Sequence, residues 1–228
     1  MSILAHPLLA RGPVRKRPGL ALLPDLEEAQ LPFGRVHEGC GIARYPLALW
    51  LAAQTQGPVI WIAPSWLPHR LNPDGFAPLL DPARLILAQA TRPEDILWSI
   101  EEVLRSGIVA LTVADLPGLP SLTQVRRMHL AAEQGGQKTG AGPGHAPLAL
   151  LLTPGEGGCA GVETRWHLAP QHGRHLKEPA APPPTPHAYR TAWRLTRLRA
   201  RTAAHKHWTL VQSPNAPLPV PASAQNPP

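Results

Sequence analysis

The sequence predicts an α/β protein, with a mostly parallel sheet flanked by helices and an antiparallel hairpin toward the C-terminus. Three observations carry that expectation. Short apolar runs bounded by Gly or Pro alternate with longer runs of helical period, the pattern of a layered α/β domain. Residues 85–114 contain one complete strand–helix–strand alternation. After Gly161 the apolar period changes to two, the mark of strands with one covered face.

The elements follow in order. Pro58 to Ala63 is a continuous apolar run between Gly57 and Pro64, suited to a fully buried strand. Leu85 to Ala90 reads as the next buried strand. Pro93, Glu94 and Asp95 then open a helix with a fixed φ and acids in its first turn, and Ile96, Leu97, Ile100, Val103 and Leu104 recur at helical spacing until Gly107. Ile108 to Ala114 returns as a buried strand, expected to pair in parallel with the one before the helix through a right-handed crossover. Ser121 caps a helix to about Gln134, a Gly-rich loop spans 135–144, and Leu148 to Thr153 makes a fourth buried strand. Beyond it Val162, Thr164, Trp166 and Leu168 alternate with Glu163, Arg165 and His167. Trp193 to Arg199 and His207 to Val211 form a hairpin whose apolar side is Trp193, Leu195, Trp208 and Leu210.

At 228 residues, 43% of them hydrophobic, the chain has enough apolar surface for one large core, which excludes wholesale disorder. Its 30 Pro are clustered. Residues 1–32 read as a Pro-rich basic arm, 178–187 as a linker or loop, and 212–228 as a disordered tail, leaving 33–211 as the domain. Charge is segregated: residues 1–160 balance 13 basic against 13 acidic side chains, so the net +7 resides in 161–228. Such asymmetry suits a contact with nucleic acid or an acidic protein, or a solvated face. Cys40 and Cys159 lack metal-ligand spacing, which suits reduced thiols. No apolar run approaches the roughly 20 residues needed to span a bilayer. Because Arg15, Lys16 and Arg17 follow rather than precede the first apolar stretch, no secretory signal is expected, and the expected location is the cytoplasm.

Local phrases add a resemblance. Gly34-Arg-Val-His-Glu-Gly39 resembles the strand that leads to the phosphate loop in RecA-family proteins, and RSGIVALTVADL at 105–116 resembles the Walker B strand, with Asp115 at the acidic position. GGCAGVETRWHLAP at 157–170 looks like the strand after the second DNA-binding loop, and WRLTRLRARTAAHKHWTL at 193–210 like the terminal hairpin. With GPVIWIAP at 57–64 and LDPARLILAQATRPEDILWSIEEVLRSG at 80–107, the chain resembles the ImuA family of RecA-like accessory proteins in SOS mutagenesis. The resemblance implies a RecA-like core. It further implies a role in translesion synthesis beside an ImuB-like Y-family polymerase homologue and an error-prone DNA polymerase III alpha subunit.

The residues themselves depart from a nucleotide hydrolase. A phosphate loop needs G-x-x-x-x-G-K-[ST], because backbone amides cradle phosphate, Lys neutralises it and the hydroxyl reaches magnesium. Here Gly39 to Leu47 has no Lys and no Ser or Thr, and Pro46 removes a donor. The carboxylate that such ATPases carry after the second strand is replaced by Ala63-Pro64-Ser65. No catalytic residue, cofactor or metal site is therefore expected, and Asp115 has the alternative reading of a cap on the turn Leu116-Pro117-Gly118. The connections corresponding to DNA-binding loops, 116–120 and 154–159, are short, against strand exchange. Candidate contacts for single-stranded DNA or a partner are Arg190, Arg194, Arg197, Arg199, Arg201 and Lys206, with Trp193 and Trp208 nearby. His167, His172, His175, His205 and His207 lie in basic text without a carboxylate in ligand register and read as surface residues. An ATPase with an unorthodox phosphate loop and an SOS cell-division inhibitor are the competing readings.

Overall fold

A computed structural model describes residues 18–68, 70–140, 145–171, 190–214 and 216–222. The elements are β1 (Gly19–Ala21), β2 (Gln30–Pro32), β3 (Val36–Cys40), α1 (Arg44–Ala53), β4 (Val59–Pro64), α2 (Pro73–Phe76), β5 (Leu85–Ala90), α3 (Pro93–Ser106), β6 (Leu111–Asp115), α4 (Leu122–Lys138), β7 (Leu148–Leu152), β8 (Thr164–Gln171), β9 (Thr191–Ala200), β10 (Lys206–Gln212) and β11 (Val220–Pro221).

Nine strands make one sheet in the order β5-β4-β6-β7-β3-β8-β9-β10-β11. From β5 to β8 every pair is parallel, and from β8 to β11 every pair is antiparallel. The fold is therefore α/β, as the alternation of periods predicts. β3, β6 and β7 are buried at every position, which accounts for the continuous apolar text of β7, while β3 and β6 also bury His37, Glu38, Thr112 and Asp115.

The sheet separates two cores. On one face Trp61, Leu111, Val113, Leu148, Leu150, Leu152, Trp166 and Leu168 pack beneath Leu47, Trp50 and Leu51 of α1. On the other, Ile62, Ala114, Ala149 and Leu151 meet Ile96, Ile100 and Leu104 of α3 and Val125, Met128 and Ala132 of α4. The predicted caps are present: Pro93 opens α3, Gly107 closes it in the left-handed region, and Ser121 with Gln124 forms a reciprocal capping box on α4.

Four expectations change. Residues 85–90 are not a buried strand: β5 is the sheet edge, with Ile86 50% and Leu87 57% exposed. An apolar run alone does not distinguish a central strand from an edge. Of the predicted arm, residues 19–32 form the β1–β2 hairpin, whose Leu22, Leu23, Leu26 and Leu31 enter the α1-side core; residues 1–17 lie outside the described residues. Of the predicted tail, Val220 and Pro221 pair with Val211 and Leu210, because Pro is tolerated at a sheet edge where its missing N–H faces out. Residues 223–228 and the predicted linker 178–187 lie outside the described residues. Finally β5 and β6 are parallel but not neighbours, since β4 lies between them. Among the described residues no helix is long and apolar enough to cross a membrane.

Candidate functional site

The turn from β3 to α1, where the resemblance leads one to expect a phosphate loop, consists of Gly41, Ile42 and Ala43. Its amides are committed within the chain: Gly41 N–H donates to the Gly155 carbonyl at 2.8 Å and Ala43 N–H to the Leu168 carbonyl at 3.1 Å. Gly41 has φ +91°, and a Cβ there would lie 2.4 Å from the Leu168 oxygen, so the sharp turn and the close approach both require glycine. Ile42 is 80% exposed above the turn. Phosphate binding at a helix N-terminus needs amides that point outward, and two of these point inward.

Glu38, three residues before the turn, is an internal anion. Its carboxylate accepts from the Thr153 hydroxyl at 2.7 Å, Gly158 N–H at 2.8 Å, Cys159 N–H at 3.1 Å and the Arg165 Nε. Arg165 Nη2 also donates to the Cys159 carbonyl at 3.0 Å. Burial works against the charge, yet the donors from Arg165, Thr153, Cys159 and Gly158 hold Glu38 below the ordinary carboxylate range. The loop after β7 is thus pinned to the sheet.

Asp115 ends β6, at the ligand-facing end of a parallel sheet. Its carboxylate accepts from the Tyr45 hydroxyl, not from the 116–118 turn. Arg44 Nε lies 3.9 Å from its Oδ1, and the Arg44 guanidinium sits 4.8 Å above the Tyr45 ring. Burial, then the Asp115 acceptor and its charge, push the Tyr45 hydroxyl up to about 12. Beside this cluster a cavity of about 350 Å3 is lined by Tyr45, Trp61, Ala63, Phe76 and Asp115. Sequence reading singled out Asp115 and missed Tyr45, its nearest partner. A Tyr directly after the charged residue at the helix start was the available signal.

The basic candidates divide. Arg194 and Arg199 are exposed on β9, as is Arg190 just before it. Arg201 Nε lies 3.8 Å from Glu163, and Lys206 Nζ 2.5 Å from Glu28. Arg197 is corrected from the contact set: it is buried, donating to the Ala204 carbonyl at 3.0 Å and the Glu28 carbonyl at 2.9 Å. Its guanidinium lies 5.8 Å from the Trp166 ring centre and 5.3 Å from that of Trp208. The tryptophans face inward, Trp193 edge-on to Trp50 at 5.5 Å, so they do not interleave with exposed arginines.

His167 pairs with Glu156 at 3.3 Å, while His205 and His207 are exposed; His172 and His175 lie outside the described residues. Among the described residues no three His, Cys, Asp or Glu side chains gather as metal ligands. Cys40 and Cys159 are buried free thiols; burial, with Glu38 beside it, pushes Cys40 up to about 12, and Cys159 moves the same way. Fold and site together define an α/β protein with a mixed nine-stranded sheet and a closed strand-to-helix turn. No known family model matches the chain, and no curated protein matches its sequence.

Proposed function

We propose that the chain is a non-catalytic RecA-like accessory protein of DNA-damage-induced translesion synthesis. It scaffolds an ImuB-like polymerase homologue and an error-prone DNA polymerase III alpha subunit, with single-stranded DNA as a further contact. One observation carries the reading: a parallel order in which β7 separates β3 from β6 is combined with a strand-to-helix turn whose amides are taken up within the chain. β7 lies between β3, which enters α1, and β6, which carries Asp115, and an antiparallel wing follows at β8. In the same molecule the Gly41 and Ala43 amides donate to protein carbonyls, and the residue ending β4 is Pro64, which has no proton to exchange.

The purified protein is expected to hydrolyse no ATP above background, with or without single-stranded DNA. Magnesium-dependent turnover that vanished in Asp115→Asn would overturn the non-catalytic half of the reading. Capture of the tagged chain from damaged cells is expected to recover the polymerase homologue. Recovery of a division protein in its place would point to the cell-division inhibitor instead.

A further inference from the structure

The two edges of the nine-stranded sheet are built differently. β11, at one end, is two residues long and carries Pro221, both of which discourage pairing with another chain. β5, at the other end, is six residues long with no proline and no charge, and among the described residues nothing pairs with its outer side. Apolar side chains emerge from it on both faces. Leu87, on the α1 side with Tyr45 and Leu49, is 57% exposed, and Ile86, on the α3 side, is 50% exposed. An uncharged apolar edge of this length is a template for strand addition.

The direction of its backbone groups follows from one bond. Ser65 N–H donates to the Ala90 carbonyl at 2.9 Å, so Ile86, Ala88 and Ala90 turn their backbone groups toward β4, whereas Leu85, Leu87 and Gln89 turn theirs outward. Leu85 N–H is taken by the Pro82 carbonyl, which leaves Leu87 as the central residue with both groups directed out of the sheet. Charge flanks the strand unevenly: Asp81 is exposed before it and Arg92 is exposed after it, and neither has an ion pair among the described residues.

These features fit a second copy of the same strand running antiparallel. Centred on Leu87, the pairing sets Leu87 opposite its own counterpart as a hydrogen-bonded pair and Ile86 opposite Ala88. It also brings Arg92 of each copy beside Asp81 of the other. A parallel partner in register sets Arg92 beside Arg92, and an antiparallel one centred on Ala88 sets Arg92 opposite Arg84. Charge therefore selects one direction and one register.

We propose that β5 is the interface of a two-fold symmetric homodimer, in which two copies join edge to edge in one continuous sheet. The contact is self-complementary and closes at two. It is independent of the scaffolding function proposed above.

Sedimentation equilibrium of the full chain over roughly 1–100 µM tests it, a range suited to an interface at the small end of specific contacts. A monomer–dimer equilibrium is expected. Leu87→Lys sets like charges opposite each other on the axis and is expected to weaken self-association at least about tenfold. Its melting temperature is expected to hold, because most of the Leu87 side chain is exposed. Arg92→Asp and Asp81→Arg are each expected to weaken the dimer, and the double variant to recover it. A monomer throughout the range, an open series beyond the dimer, a dimer unchanged in folded Leu87→Lys, or a double variant no stronger than the singles would each overturn the proposal.

Discussion

Two polar side chains, His37 and Glu38, lie fully buried in β3, where a parallel strand ordinarily carries aliphatic residues. Glu38 is tolerated because Thr153, Gly158, Cys159 and Arg165 all donate to it. Glu38→Gln removes the charge but leaves Arg165 largely buried, so a loss of about 3 kcal/mol is expected in urea unfolding. A double variant with Arg165→Met is expected to lose less than the two single variants summed. His37 is held neutral: one ring nitrogen meets the Thr164 hydroxyl at 2.8 Å and the other the Pro32 carbonyl at 3.0 Å. Burial pulls it from 6.5 to about 3, outweighing the Pro32 carbonyl, which acts the other way. Since the unfolded chain takes up this proton first, stability is whole above about pH 6.5 and falls as pH drops toward 3, by about 1.4 kcal/mol per pH unit. Half-buried His129 is shifted in the same direction, and Glu38 adds a loss below about 4.5. Urea midpoints at pH 7.5, 6 and 5 check the slope, and His37→Gln is expected to flatten it. The sequence offered Glu38 as part of a strand phrase but hid its role, because its partners lie 115 to 127 residues away.

Helices α3 and α4 meet at two glycines. A Cβ on Gly135 would lie 2.0 Å from the Leu104 carbonyl oxygen, and one on Gly107 2.3 Å from that of Gly135. Gly135→Ala therefore overpacks the crossing by about 1–3 kcal/mol, outweighing the roughly 1 kcal/mol that alanine adds within a helix. A melting temperature lower by several degrees is expected, while Gly75→Ala, with open space around its Cβ, is expected to change little. At the opposite edge, truncation after Gln212 removes β11 and uncovers Leu210 and Val211, so the melting temperature is expected to fall rather than hold. The parts of the fold set by local period were legible: α3, β7 and the β9–β10 hairpin lie where apolar spacing and caps predict them, whereas α4 runs on to Lys138 through the start of the expected Gly-rich loop and β6 begins at Leu111, leaving Ile108 exposed. Strand order was not legible from period, which is why β5 read as buried. Nor was the membership of Pro-rich segments, since composition cannot report that Leu22 and Leu31 find a core or that Pro221 finds an edge.

Across the whole molecule the basic excess lies on one wing of the sheet, and part of it is consumed there. Arg197, Arg201 and Lys206 each have partners within the chain, which leaves Arg194 and Arg199 as the exposed pair on β9. Replacing both by Ala is expected to weaken single-stranded DNA binding and flatten its salt dependence with folding intact, because each phosphate contact releases a counterion. Arg197→Ala is expected instead to lower the melting temperature; unchanged stability would remove its structural role. The charge asymmetry was legible in the sequence, but the division between structural and exposed arginines was not, since it depends on Glu28 in a hairpin some 169 residues earlier. The central position of β3 bears on how the chain is born. Its two neighbours, β7 and β8, leave the ribosome more than a hundred residues after it. Until residues 148–152 have emerged, Val36 to Cys40 has no ladder and Glu38 has none of its donors. Folding is therefore a late event of translation, with long-range pairing setting its rate. A stalled nascent chain ending near residue 145 would present that strand, unpaired, to whatever holds it in the cell.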